Sequence, residues 1–276
     1  MKLATLRTPA GTRAVLLAGE ELIDLGAADV GALLADPDWR ERAATASGTR
    51  FHLAGADFAP VVPQPSKVVC VGLNYKNHIQ EMGRELPSHP TLFAKFADSL
   101  TGPADDIPHP AETTELDWEV ELAVVIGRRV RRVSTAEAEA AIAGFTVLND
   151  ITCRDWQFRT REWLQGKMWD ASTPIGPYLV TPDELPGGVR PVLDVRLDVD
   201  GEVMQSDTTG DLLFDPVALV EYVSAVIRLN PGDVIATGTP GGGCHARTPH
   251  RKQRAATSGV AQKQVIGRKV NRDLRV

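Results

Sequence analysis

The sequence predicts an α+β fold in which strands predominate. Three observations carry this. Short apolar runs rich in β-branched residues recur along the 276 residues, among them Val68 to Val71, Leu122 to Ile126 and Gly144 to Asn149. Asp200-Gly201 follows the alternating segment Leu193 to Val199 and leads into Glu202 to Gln205, the pattern of a type I′ hairpin turn. Helical periodicity is confined to a few segments, of which Val30 to Ala46 and Asp215 to Arg228 are the clearest.

In chain order, residues 1–62 read as a small α+β unit. Lys2 to Arg7, Thr12 to Ala18 and Glu21 to Leu25 are expected strands, followed by a helix over Val30 to Ala46. Asp36 and Asp38 read as turn and helix-start residues. Pro60-Val-Val-Pro-Gln-Pro-Ser66 is an extended linker, since proline disfavours both helix and central strand. A larger domain, residues 67–248, opens with a buried strand over Lys67 to Tyr75 and a helical turn carrying His78 and Glu81. Thr91 to Phe96 and Leu122 to Ile126 are further strands. Ser134 with Glu137 three residues on is a capping box for the next helix. Gly144 to Asn149 is a strand that delivers Asp150 at its end, and Trp156 to Leu164 reads as helical. Leu193 to Val199 and Glu202 to Gln205 form the hairpin. Asp215 to Arg228 is an amphipathic helix with Val217, Leu219, Val220, Val223 and Val226 toward a core, before a strand ending at Thr237 and a glycine-rich loop.

Composition bounds the function. No apolar stretch approaches the roughly 20 residues that span a bilayer, and the N-terminus lacks the apolar centre of a signal peptide. Cys70, Cys153 and Cys244 are scattered singly, which argues against a zinc site and for reduced thiols in the cytoplasm. The net charge is −6. From Gly241 onward there are nine Lys or Arg and one acid, so residues 1–240 hold 21 bases against 35 acids, a balance of −14. That acidity argues against nucleic acid and suits a cation site.

The chemistry centres on Glu119-Val-Glu121. Strand alternation points both carboxylates the same way. Two adjacent carboxylates repel, and water, a shared proton, an Arg or Lys, or a metal ion can relieve them. Asp150 is either a helix N-cap or a third oxygen ligand for a hard cation. His78 and Glu81 lie three apart on a helical turn and can touch, as a surface ion pair or as an oriented general base. Lys167, after the flexible Gly166, is a surface charge or an oxyanion stabiliser.

Together these segments resemble the fumarylacetoacetate hydrolase family. The matching pieces are Val71-Gly-Leu-Asn-Tyr-Lys-Asn-His78 with Glu81, Glu119-Val-Glu121, Asp150-Ile-Thr-Cys-Arg-Asp-Trp-Gln157, Gly166-Lys167, Asp200-Gly201 and Thr237-Gly-Thr-Pro240, in family order from about Lys67 to Gly243. The resemblance implies a β-roll of mixed sheets, a fold that periodicity alone does not give, and a homodimer. It implies Mg²⁺ (or Mn²⁺ or Ca²⁺) on Glu119, Glu121 and Asp150. His78 and Glu81 become a water-activating dyad on a lid. Lys167, Arg154 and Gln157 contact the oxygens of a 2-oxo acid substrate, and Thr239 its carboxylate. The implied reaction is hydrolysis of an acylpyruvate in aromatic compound catabolism. Oxaloacetate-type decarboxylation and isomerisation of a dienedioate are the alternatives, because all three pass through one enolate.

The chain departs from the family pattern after Gly243. Residues 249–276 are basic and show little strand alternation, which predicts poor order from about Pro249. His245 and His250 match no family ligand and read as loop residues. An inactive metal-binding homologue with a damaged end is therefore the non-enzymatic alternative.

Overall fold

A computed structural model describes residues 1–242. The expected disorder of 249–276 and the loop reading of His245 and His250 lie outside the described residues, as does Cys244.

Strands β1 (Lys2–Thr8), β2 (Gly11–Ala18), β3 (Glu21–Asp24) and β4 (Arg50–His52) form an antiparallel meander. Between β3 and β4 the expected single helix is two, α1 (Val30–Leu34) and α2 (Trp39–Ala44). Pro37 divides them, because proline has no N–H for the helix ladder and its ring clashes with the preceding turn. Asp29 caps α1 through the N–H of Ala32 at 2.8 Å, and Asp36 accepts the N–H of Asp38 at 3.0 Å to shape the turn.

The larger part begins with β5 (Val68–Gly72), α3 (Lys76–Glu81), β6 (Thr91–Lys95) and the two short strands β7 (Leu100–Thr101) and β8 (Leu116–Asp117). Next come β9 (Val120–Ile126), α4 (Thr135–Ala141), with its capping box in place, and β10 (Ile142–Asn149). Beyond them are β11 (Thr152–Cys153), α5 (Arg154–Gln157), α6 (Leu164–Lys167), β12 (Thr173–Pro174) and β13 (Tyr178–Val180). The expected helix over Trp156 to Leu164 is interrupted. The hydroxyl of Thr160 donates to the carbonyl of Glu162, a local turn that competes with the helix. The interruption lets Trp163 reach across to Phe93, with ring centroids 5.7 Å apart. The hairpin β14 (Asp194–Val199) and β15 (Glu202–Thr208) turns at Asp200 and Gly201, both at positive φ (52° and 84°). Helix α7 (Pro216–Val226) is capped by Asp215, and β16 (Val234–Ala236) follows.

Ten strands make one mixed sheet in the order β4-β3-β2-β1-β13-β10-β9-β16-β5-β6. The N-terminal meander is thus continuous with the rest through β1 and β13. Within it β16 and β5 are parallel and the other pairs antiparallel. One face packs α1 and α2 over Val68, Cys70, Ala123, Val125 and Val234. The other packs α4 and α7 over Leu122, Val124, Ile126, Phe145 and Ile235. Val217, Leu219, Val220 and Val223 of α7 are buried as expected, but Val226 is 64% exposed because the helix ends there and its last turn overhangs the core. Strand β9 is buried along its whole length between β10 and β16.

Candidate metal centre

Strand alternation places Glu121 on the face of β9 that carries Ala123 and Val125, and Glu119 lies one step earlier on that face. The antiparallel register sets Leu148 opposite Glu121 and Asn149 opposite Val120. Asp150, the next residue, therefore arrives beside Glu119 and donates its N–H to the Glu119 carbonyl at 2.8 Å. The side chain of Asn149 accepts the N–H of Glu119 at 2.9 Å and locks this end of the pair. Asp150 is not a helix cap. The three carboxylates are buried, and one oxygen from each lies within 4.8 Å of the others.

Cations surround them. Lys167 is 1% exposed, and its Nζ donates to Glu119 Oε2 at 2.6 Å and Asp150 Oδ2 at 2.7 Å. It is a buried bridge rather than a surface charge. Arg154 donates through Nη2 to Glu119 Oε1 at 2.5 Å, through Nε to Asp117 Oδ2 at 2.8 Å and through Nη1 to Gln157 Oε1 at 2.8 Å. Lys95, which the sequence did not single out, donates to Asp150 Oδ1 at 2.7 Å. A Lys at a buried position near the end of an apolar strand was the only local signal.

Burial opposes the ionised form of Asp150, but Lys167 and Lys95 outweigh it and hold its carboxyl below the usual range. Burial likewise opposes the Lys167 ammonium, yet Asp150 and Glu119 keep it protonated beyond its ordinary range. Among the described residues Glu121 has no such cation in contact. Burial, then Asp150 and Glu119, push its carboxyl well above the ordinary value. Four carboxylates (Asp117, Glu119, Glu121, Asp150) against three cations leave a formal charge of −1. An all-oxygen buried set with one under-compensated carboxylate fits a hard divalent cation.

His78 and Glu81 share α3 and face the glycine-rich loop. A Cβ added at Gly241 would lie 3.2 Å from His78 Nδ1 and 2.9 Å from Glu81 Oε2. Among the described residues no hydrogen bond or ion pair joins the two, and His78 Nδ1 is buried without a partner. Burial lowers the His78 pKa from 6.5, against the pull of Glu81 and Glu119. Thr239 Oγ1 accepts from Gln205 Nε2 at 2.8 Å and donates to the Val120 carbonyl at 3.0 Å, so its hydroxyl hydrogen is committed to β9. Gln205, also missed in the sequence, accepts the Val120 N–H at 2.9 Å and donates to the Pro240 carbonyl at 2.9 Å. It stitches the hairpin to β9 and to the loop.

A sequence profile described as fumarylacetoacetate (FAA) hydrolase C-terminal matches residues 67–267. The chain belongs to this family. It is 44% identical over 186 residues to the mitochondrial oxaloacetate tautomerase Fahd2a of Rattus norvegicus, an alignment that covers 67% of this chain and 59% of the relative. The chain thus spans less than two thirds of the curated relatives' length. The family fold is also seen in solved structures. The 5-carboxymethyl-2-hydroxymuconate delta-isomerase of Mycobacterium smegmatis superposes with a TM-score of 0.73 at 32% identity, over 88% of this chain and 90% of that one. The fumarylacetoacetate hydrolase of Exiguobacterium antarcticum gives 0.76 at 31% identity, over 89% and 88%. Among the described residues no helix is long and apolar enough to cross a membrane.

Proposed function

We propose that this family member is a metal-dependent tautomerase or isomerase of 2-oxo acids, moving a proton to or from the carbon beside the 2-oxo group. The carrying observation is the buried triad with Lys167 bridging two of its members. Named relatives include an oxaloacetate tautomerase and a hydroxymuconate isomerase, which moves this reading ahead of the hydrolase expected first.

Glu119, Glu121 and Asp150 would hold the ion, with Mg²⁺ favoured over Mn²⁺ or Ca²⁺, and the bound ion would supply Lewis acidity toward a developing enolate. The charge balance supports docking of one substrate carboxylate at the ion, with any second carboxylate lying outside the triad. The formal −1 of the site becomes +1 with a divalent ion and zero with one carboxylate added. Lys167 gives two of its three N–H groups to Glu119 and Asp150, so the third is free for a substrate oxygen. The Phe93 ring, 5.0 Å from Nζ, closes another side of the ammonium. Arg154 is held by Asp117, Glu119 and Gln157, so it orients Glu119 and Gln157 and leaves the Gln157 amide N–H₂ for substrate. His78, kept neutral near pH 7 by burial, is the group that takes or returns the carbon-bound proton.

Acylpyruvate hydrolysis is the second reading. It draws on the same neutral His78 beside Glu81, here activating water, and on the likeness to the Exiguobacterium enzyme. A homodimer follows from the family resemblance and is checked by light scattering. The deciding experiment offers oxaloacetate, a 2-hydroxydienoate and an acylpyruvate after EDTA treatment and again with Mg²⁺. Mg²⁺-dependent enol–keto interconversion without carbon–carbon cleavage is expected. Pyruvate release from the acylpyruvate alone would make it a hydrolase, and CO₂ release from oxaloacetate a decarboxylase.

A further inference from the structure

Asp150 is held by two buried ammonium groups, one on each oxygen. Lys167 shares its charge with Glu119, as a bridge inside the site must. Among the described residues Lys95 pairs with no second carboxylate. Its Nζ donates to Asp150 Oδ1 at 2.7 Å and to the Ile151 carbonyl at 3.2 Å, and its side chain is wholly buried on β6. Burying an ammonium is costly unless it is well paired, and Lys167 already contacts Asp150. A hydrogen bond to Asp150 Oδ1 could have come from a neutral amide or hydroxyl. A full charge there does something those groups cannot: it opposes any further cation brought to the triad.

We propose that Lys95 is a positioning residue that sets the affinity of the acidic triad for a divalent cation. It holds the Asp150 carboxylate in place without the ion, and its charge limits how tightly the ion is then held. The inference rests on the metal reading of Glu119, Glu121 and Asp150.

The test is Mn²⁺ titration by calorimetry, with the melting temperature of the metal-free protein, on wild type, Lys95→Met and Lys95→Gln. Removing a charge a few ångströms from the ion is expected to tighten Mn²⁺ binding about tenfold. The metal-free melting temperature should fall and the Mn²⁺-induced rise should grow. A residue that merely supported the fold would lower stability without tightening binding. Lys95→Gln keeps an N–H donor for Asp150 and decides the matter if Lys95→Met does not fold. Equal or weaker Mn²⁺ affinity in the folded variant, with wild type binding normally, overturns the role of Lys95 alone. Absence of Mn²⁺ binding in wild type overturns the metal reading and this inference with it.

Discussion

The N–H of Gly238 donates to Glu121 Oε2 at 2.7 Å, the one hydrogen bond this buried carboxylate receives among the described residues. It ties the loop after β16 to β9. Gly238 has φ of 99°, and a Cβ there would lie 2.8 Å from the Val71 carbonyl oxygen and 3.1 Å from the Asn74 Cβ. Gly238→Ala should therefore cost about 1–3 kcal/mol of stability and weaken Mg²⁺-induced stabilisation, both read by thermal melting with and without the ion.

Glu121→Gln should separate stability from ion binding. The amide removes the cost of burying or protonating a carboxylate that contacts no cation among the described residues, so at a pH where the unfolded carboxyl is ionised the metal-free protein should melt higher than wild type. Calorimetry should show Mg²⁺ or Mn²⁺ affinity reduced by about 100-fold or more, since one of the three proposed ligands loses its negative charge. A variant that melts lower and binds the ion normally would contradict the assignment.

Glu121 also sets a pH dependence. Its folded carboxyl holds a proton to higher pH than the unfolded chain, whose value is near 4.5. It therefore contributes stability fully present below 4.5 and lost as pH rises through the folded pKa. Asp150 has the opposite sign, its contribution being present above 3.8 and lost as pH falls through its lowered folded pKa. Ion binding must displace the Glu121 proton, so the Mg²⁺-induced rise in melting temperature should increase with pH. Glu121→Gln should flatten that trend.

Lys167→Met leaves Glu119 and Asp150 without their shared ammonium. Loss of one partner in a buried ionic cluster costs about 3–5 kcal/mol, visible in urea unfolding of the metal-free protein. Turnover should fall by about 10²–10³-fold if the third N–H meets the developing oxyanion.

On the proposed reading His78 is the base, and burial lowers its pKa from 6.5. The acidic limb of kcat/KM should accordingly lie below pH 6.5. His78→Asn should remove that limb and reduce turnover by about 10²–10⁴-fold, while Mg²⁺ affinity stays near wild type.

What the sequence determined by itself was local. Alternation put Glu119 and Glu121 on one face, Ser134 and Glu137 closed their capping box, and Asp200-Gly201 made its turn, because each depends on backbone geometry within a few residues. The ordered motifs from Val71 to Pro240 likewise marked the family before any coordinates. Tertiary structure decided the rest. The register of β10 on β9 brought Asp150 to Glu119. The fold buried Lys95 and Lys167 among the carboxylates and spent the Thr239 hydroxyl on Val120. It also split the helix expected at Trp156, where Trp163 reaches Phe93 on a distant strand. A charge reads as a surface residue until something far along the chain removes its water, and only long-range pairing specifies what that is.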